Sequence, residues 1–116
     1  MDAEANKTLV LRYIEMWNTG NVALADEILA LTWRDHNHPE VTGLESVKQV
    51  VLATRTAFPD FHITVESIVG EGDRVALRAM IQRTQRGNIS VSRVMWFVRL
   101  ADRKMTELWT GIEASG

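Results

Sequence analysis

Residues 57–78 read A-F-P-D-F-H-I-T-V-E-S-I-V-G-E-G-D-R-V-A-L-R, and the chain changes from helix to strand inside this stretch. Pro59 cannot continue a helix and restricts the residue before it, so a helix must end near Phe58 and an extended segment must follow. The residues Gly70–Asp73 then supply the turn of a hairpin, and Arg74–Thr84 alternates as its second strand. The stretch therefore predicts a helix followed by antiparallel strands.

Two helices are predicted in the first part of the chain. The first runs from about Glu4 to Asn18, because Val10, Ile14 and Trp17 recur at helical spacing. A short second helix follows, for which Asn21 is the expected cap. Its predicted buried side consists of Ala25, Ile28 and Leu29.

A third helix is predicted over residues 43–57, because Thr42 and Glu45 have the spacing of a capping box. Four strands follow, separated by short turns, which indicates an antiparallel meander. These strands are expected at Phe61–Val69, Arg74–Thr84, Ile89–Leu100 and Met105–Glu113. Helices followed by hairpins make an α+β domain in which the helices cover one face of the sheet. The residues predicted to be buried between the two layers include Val10, Ile14, Val47, Val51 and Trp96.

Composition limits the class of protein. A chain of 116 residues with 46% hydrophobic content fits one domain spanning residues 1–116, and it contains no cysteine for disulfides or thiolate chemistry. Its net charge of −2 gives no indication of the basic surface that nucleic-acid binding requires. The acidic start M-D-A-E-A-N-K is unlike a signal peptide, and no apolar run approaches membrane-spanning length. We expect a cytoplasmic protein that binds neither nucleic acid nor membrane.

The densest polar segment is D-H-N-H-P-E at residues 35–40. In an extended conformation His36, His38 and Glu40 would point the same way and could offer a metal two nitrogens and one oxygen. A turn explains the same residues more simply, because Asp and Asn before proline are typical turn residues, and no metal site is predicted. His36 is also a candidate acid or base, since histidine titrates near neutral pH.

The F-P-D-F…E-G-D-R-V-A-x-R pattern of residues 58–78 resembles the SnoaL-like polyketide cyclases, within the nuclear-transport-factor-2-like superfamily. The resemblance extends over nearly the whole chain. It implies a cone-shaped fold in which three N-terminal helices pack on a curved antiparallel sheet, leaving one end open to a pocket. It also implies a homodimer formed through the outer face of the sheet. The strands support this, because neither of their faces is cleanly polar, and a partner subunit would cover the second apolar face.

The resemblance also suggests catalytic residues. The segment D-H-N-x-P followed by Gly43 is similar to the family's D-x-x-x-H-x-P…G, in which the histidine lies at the pocket wall, and this position corresponds to His36. The closing strand K-M-T-E-L-W-T-G-I-E is similar to G-K-I-x-E-x-W-x-x-x-D, which matches Glu107 and Trp109. Glu113 falls where the cyclases carry an aspartate acting as general acid or base. A glutamate there is one methylene longer, and as an exposed carboxylate it could equally have no catalytic role.

The aromatic residues are expected to line an apolar pocket, although each of them taken singly is also a normal core residue. Asn18 and Arg78 are weaker candidates, because Asn18 also fits a helix terminus and Arg78 an ion pair on the sheet. The predicted ligand-binding residues are Trp17, Asn18, Trp33, Phe58, Phe61, Arg78, Met80, Trp96 and Trp109.

The sequence therefore predicts a protein that binds a small apolar or aromatic molecule. As an enzyme it would catalyse a cofactor-independent proton transfer, either an aldol-type cyclisation or an isomerisation, with His36 or Glu113 moving the proton. The alternative is a ligand-binding or dimerisation module of the same fold without catalysis, because one fold hosts several functions.

Overall fold

The computed structural model describes residues 2–113 and contains the three predicted helices. These are α1 (Ala3–Thr19), α2 (Leu24–Ile28) and α3 (Gly43–Ala57). The strands are β1 (Leu29–Asp35), β2 (His62–Glu71), β3 (Arg74–Gln85), β4 (Asn88–Ala101) and β5 (Lys104–Ile112). The change from helix to strand at Pro59 lies between α3 and β2, as predicted.

All five strands belong to one sheet in the order β1-β5-β4-β3-β2. The antiparallel meander predicted for the last four strands is confirmed. The predicted number of strands was wrong, however, because β1 adds a fifth strand that pairs in parallel with β5. The register between them shifts between Leu29 and Arg34, so β1 is irregular over most of its length and pairs regularly only at its end.

Two details of the predicted helix starts were also wrong. Ala23, not Asn21, precedes α2, and no side chain caps this helix; the Asn21 carbonyl accepts a hydrogen bond from the backbone N–H of Leu24. Thr42 does occupy the N-cap position of α3, but its side chain makes no capping hydrogen bond. Leu29 is buried as expected, although it begins β1 instead of ending a helix.

The core lies between the helices and one face of the sheet, which we call the inner face. Buried and more exposed residues alternate along β3 and β4, as expected for strands with one covered face. The buried series in these strands is Val75, Leu77, Ala79, Val94, Trp96, Val98 and Leu100. Val10, Ile14, Val47, Val51 and Trp96 are all buried, as predicted. The opposite side of the sheet is called the outer face.

Helix α1 is fixed at both ends. The side chain of Asp2 accepts a hydrogen bond from the Ala5 N–H at 2.7 Å, and Gly20 ends the helix with a φ of 79° that favours glycine. The first turn packs so closely on β2 that a Cβ added at Gly70 would lie 3.2–3.4 Å from atoms of Ala3 and Lys7. Glycine at this position lets the helix approach the sheet.

Candidate functional site

Five aromatic side chains meet on the inner face, and we call them the aromatic cluster: Tyr13, Trp17, Trp33, Phe61 and Trp96. The ring centroid of Tyr13 lies 6.4 Å from that of Trp17, 5.9 Å from that of Trp33 and 6.0 Å from that of Trp96. The Trp17 and Phe61 centroids are 5.8 Å apart. Tilted and edge-to-face contacts at such distances are favourable for aromatic rings.

The local sequence explains why these rings converge. Tyr13 and Trp17 are four residues apart on α1 and therefore share one side of that helix. Trp96 faces inwards from β4, where its pairing partners are Leu77 and Thr110. Trp33 lies on β1 and is only 4% exposed. One helix and two strands thus bring together residues that are far apart in sequence.

Asp35 adds a carboxylate to the inner face near the cluster. It pairs with the buried Leu108, and side chains of residues in register lie on the same side of a sheet. Burial raises the pKa of the Tyr13 phenol well above its usual value, the Trp17 side chain partly opposes this rise, and the Asp35 carboxylate adds to it. Tyr13 therefore stays protonated over the physiological pH range and can act as a hydrogen-bond donor.

Two buried donors in this region have no complete hydrogen bond. The Trp17 indole N–H approaches the Tyr13 hydroxyl without completing a hydrogen bond, and no acceptor among residues 2–113 satisfies the Arg83 Nε–H. The Arg83 guanidinium lies 4.9 Å from the centre of the Phe58 ring. Buried donors normally have partners, so such groups call for a specific explanation.

Asn18 has a different local role. Its side-chain amide donates to the Ile63 carbonyl at 2.9 Å, and its side-chain oxygen accepts from the Ile63 N–H at 2.7 Å. Arg55 donates to the Trp17 and Phe61 carbonyls, both at 3.0 Å. These bonds attach the end of α1 to the start of β2 and hold Trp17 and Phe61 side by side.

His36 lies on the outer face. Its Nε2 donates to Glu107 Oε2 at 2.7 Å, and its ring stacks on Trp109 with centroids 4.5 Å apart and planes only 4° from parallel. The hydrogen bond from His36, and next that from Arg99, lower the pKa of the Glu107 carboxyl. Trp109 also meets Phe97 edge to face at 5.9 Å. His36 is thus part of an aromatic and ionic arrangement on the side of the sheet opposite the aromatic cluster.

Glu113 is also on the outer face, within a group of four charged residues. Its Oε2 is 3.0 Å from an Arg78 guanidinium nitrogen, and Arg78 also lies 3.4 Å from Glu66. Arg93 approaches the same Glu66 carboxylate at 3.5 Å, and its guanidinium lies 4.0 Å from the Met80 sulfur. Arg78 therefore forms ion pairs on the sheet, which is the second of the two roles that the sequence suggested for it.

The structure separates the predicted site residues into two groups on opposite faces of the sheet. Sequence reasoning did not propose Asp35 or Arg83 for the site, and it considered Tyr13 only as one of the aromatic residues that together suit an apolar cavity. Asp35 follows Trp33 by two residues, and this alternation would have indicated an inward carboxylate if β1 had been recognised. The inner group comprises Trp17, Asn18, Trp33, Phe58, Phe61 and Trp96. The outer group comprises His36, Arg78, Met80, Trp109 and Glu113.

Two surface depressions of about 370 and 620 Å³ lie away from the aromatic cluster, beside the turn between β4 and β5.

His36 and His38 contact different carboxylates. His36 pairs with Glu107, whereas His38 lies 3.3 Å from Glu40. Within residues 2–113 no three His, Asp or Glu side chains are grouped as metal ligands. No helix in the same range is both long and apolar enough to cross a membrane.

Known structures resemble this chain over almost its entire length. TsrD from Streptomyces laurentii has a TM-score of 0.85 at 19% identity, covering 97% of this chain and 91% of that protein. A SnoaL-like polyketide cyclase from Agrobacterium tumefaciens has a TM-score of 0.80 at 15% identity, with 97% and 93% covered. IdmH from Streptomyces antibioticus has a TM-score of 0.78 at 24% identity, with 93% and 91% covered. These structures confirm the predicted fold.

Among proteins with curated functions, none matches the sequence. The family model of the SnoaL-like polyketide cyclases, by contrast, matches residues 7–112. Together with the curved sheet and the three helices, this match establishes that the chain belongs to the SnoaL-like polyketide cyclase family.

Proposed function

We propose that this protein binds a small apolar or aromatic carbonyl compound on the inner face of the sheet and moves a proton on it without a cofactor. Membership of a polyketide cyclase family supports this class of substrate and reaction. The reaction would be an aldol-type cyclisation or an isomerisation, since both begin with loss of a proton next to a carbonyl group.

The observation that carries the proposal is the combination of aromatic rings and unsatisfied donors at one end of the inner face. Aromatic walls with a few polar groups are typical of small-molecule sites. The Trp17 N–H and the Arg83 Nε–H are buried without a complete hydrogen bond in the described part of the chain, and a ligand oxygen would satisfy one of them. The rings now contact one another, so a ligand must displace part of the aromatic cluster when it enters.

A test can use 1-tetralone, an aromatic ketone with exchangeable protons next to its carbonyl. Saturable quenching of tryptophan fluorescence would report binding. Proton NMR in D₂O would report exchange of the α-protons, which should be faster with protein than in buffer alone. Trp96→Leu should weaken binding, whereas Leu52→Ala, on the exposed side of α3, should leave it unchanged. A complete lack of saturable binding would refute the proposal.

A second candidate is a ligand-binding module without catalysis. It is favoured by the position of His36 and Glu113, because both lie on the outer face and the sheet separates them from a ligand on the inner face. Binding of 1-tetralone without any acceleration of α-proton exchange would support this alternative over the enzyme.

A further inference from the structure

We propose that Tyr13, Trp17 and Asp35 form the reacting end of the inner-face site. The Tyr13 hydroxyl and the Trp17 N–H would hold the carbonyl oxygen of the substrate, and the Asp35 carboxylate would accept a proton from the neighbouring carbon. This inference rests on the proposed function and names the groups that perform it.

The first support is the position of Asp35. Within β1 the side chains alternate from the buried Trp33 through the exposed Arg34 to Asp35, so Asp35 returns to the inner face. Its pairing partner Leu108 is two residues before Thr110, which pairs with Trp96. Asp35 is therefore a carboxylate beside the aromatic cluster. It is the last residue of β1 and lies two residues after Trp33.

The second support is the pair of donors on α1. The Tyr13 ring is only 4% exposed and contacts three of the other rings of the cluster. The buried Trp17 N–H approaches the Tyr13 hydroxyl and lowers its pKa, but no residue in the range 2–113 completes a hydrogen bond with this N–H. A phenol and an indole N–H four residues apart on one side of a helix can converge on one oxygen atom.

The third support is electrostatic. The Asp35 carboxylate is close enough to raise the proton affinity of the Tyr13 phenol, and burial raises it further. A phenol that keeps its proton is a donor suited to an oxygen on which negative charge develops. Asp35 itself is half-buried, and one of its oxygens accepts a hydrogen bond from the Asn37 N–H at 3.1 Å.

The reaction follows from these groups. Asp35 takes the proton from the carbon next to the carbonyl, the C–H electron pair becomes the C=C bond of an enolate, and the carbonyl π pair moves to oxygen. Tyr13 and Trp17 stabilise this oxygen and keep their protons. In an isomerisation Asp35 returns the proton to another carbon. In an aldol closure the enolate carbon bonds to a second carbonyl carbon, whose oxygen takes the proton, so Asp35 again ends as a carboxylate.

The test compares α-proton exchange of 1-tetralone in wild type and in ring-preserving or isosteric variants. Asp35→Asn should slow the protein-catalysed exchange by roughly 100-fold or more, as for loss of a general base. Tyr13→Phe should slow it by about 100-fold, as for loss of one donor to a developing oxyanion. The matched control is Asp102→Asn, in the exposed turn between β4 and β5, which should exchange at the wild-type rate.

A binding measurement can show whether Tyr13 and Trp17 donate hydrogen bonds to the ligand or only pack against it. Wild type should bind 2-naphthol at least tenfold more tightly than naphthalene, which has no oxygen. Tyr13→Phe and Trp17→Phe should each lower the affinity for 2-naphthol by a larger factor than the affinity for naphthalene, a difference that a purely structural role would not give. Circular dichroism should show that all variants remain folded.

The outcomes distinguish the two proposals. Wild-type exchange that survives unchanged in Asp35→Asn and Tyr13→Phe would overturn the assignment of these residues and leave the proposed function standing. Equal affinity of wild type for 2-naphthol and naphthalene would also overturn it. If wild type neither binds 1-tetralone nor accelerates its exchange, the proposed function and this inference both fall.

Discussion

Glu107 is the residue whose charge is most clearly stabilised on the outer face. Hydrogen bonds from His36 and Arg99 lower its pKa in the folded protein below the value of 4.5 that is usual for glutamate. A carboxyl group with a lowered folded-state pKa contributes stability above its unfolded pKa and loses that contribution as the pH falls through the folded value. The structure therefore predicts a loss of stability in acid.

We predict that Glu107→Gln lowers the melting temperature at pH 6–7 and that the difference from wild type shrinks towards pH 3. Thermal denaturation followed by circular dichroism across this range would measure it. Glu71→Gln is a suitable control, because the exposed Glu71 makes no ion pair within residues 2–113. A difference between wild type and Glu107→Gln that does not change with pH would contradict the prediction.

Asn18 offers a second test at the scale of one residue. Its amide exchanges two hydrogen bonds with the backbone of Ile63, much as a neighbouring strand would. Asn18→Ala leaves both Ile63 groups without this partner, which should lower the free energy of unfolding by about 1–3 kcal/mol. Chemical denaturation would measure the change, with the exposed Asn21→Ala as control. Equal stability of the two variants would show that water replaces the amide at no cost.

At the scale of elements, most of the fold could be predicted because its signals are local. Pro59 ends α3, and the turn before Arg74 joins two strands with clear alternation. Strand β1 could not be found in the same way. The large apolar residues of its sequence L-A-L-T-W-R-D alternate, but the strand follows α2 without a turn and Leu31 is exposed, so the alternation does not match the burial. Its register with β5 is interrupted, and its partner lies about 75 residues later.

The missed strand also explains what sequence reasoning could and could not say about the site. The aromatic residues were identified by type alone, since large rings dominate any core or pocket of this size. Which face each residue occupies depends on strand register, and an error of one residue reverses it. Without β1, neither the inward position of Asp35 nor the outward position of His36 could be predicted.

The packing of α1 on β2 can be tested at Gly70. A larger side chain there must push away Ala3 and Lys7, because a Cβ alone would come within 3.2–3.4 Å of their atoms. Gly70→Val should therefore destabilise the protein by about 1–3 kcal/mol, as for other overpacked contacts. Thr64→Val, at an exposed position on the same strand, is the matched control for chemical denaturation. If Gly70→Val were as stable as this control, the helix would not be held close to the strand.

At the scale of the whole molecule, the outer face exposes a group of large apolar side chains to water. Its large exposed side chains include Ile89, Val91, Met95, Phe97 and Trp109. Beside them lie two arginines and two glutamates that pair with one another. A surface that carries both signs of charge next to an apolar patch can complement itself across a two-fold axis. We therefore predict that a second copy of this chain covers the outer face.

This prediction can be tested by replacing Phe97, which is 45% exposed and lies at the centre of the apolar patch against Trp109. A stable dimer interface buries about 800 Å² on each partner, and a charge at its centre would be buried without a partner. Sedimentation at micromolar concentration should give twice the monomer mass of 13.1 kDa for wild type and the monomer mass for Phe97→Arg. Leu52→Arg adds the same charge to the exposed side of α3 and should remain dimeric. A wild-type protein that sediments only as a monomer would exclude a stable dimer, and the apolar outer face would then need another occupant.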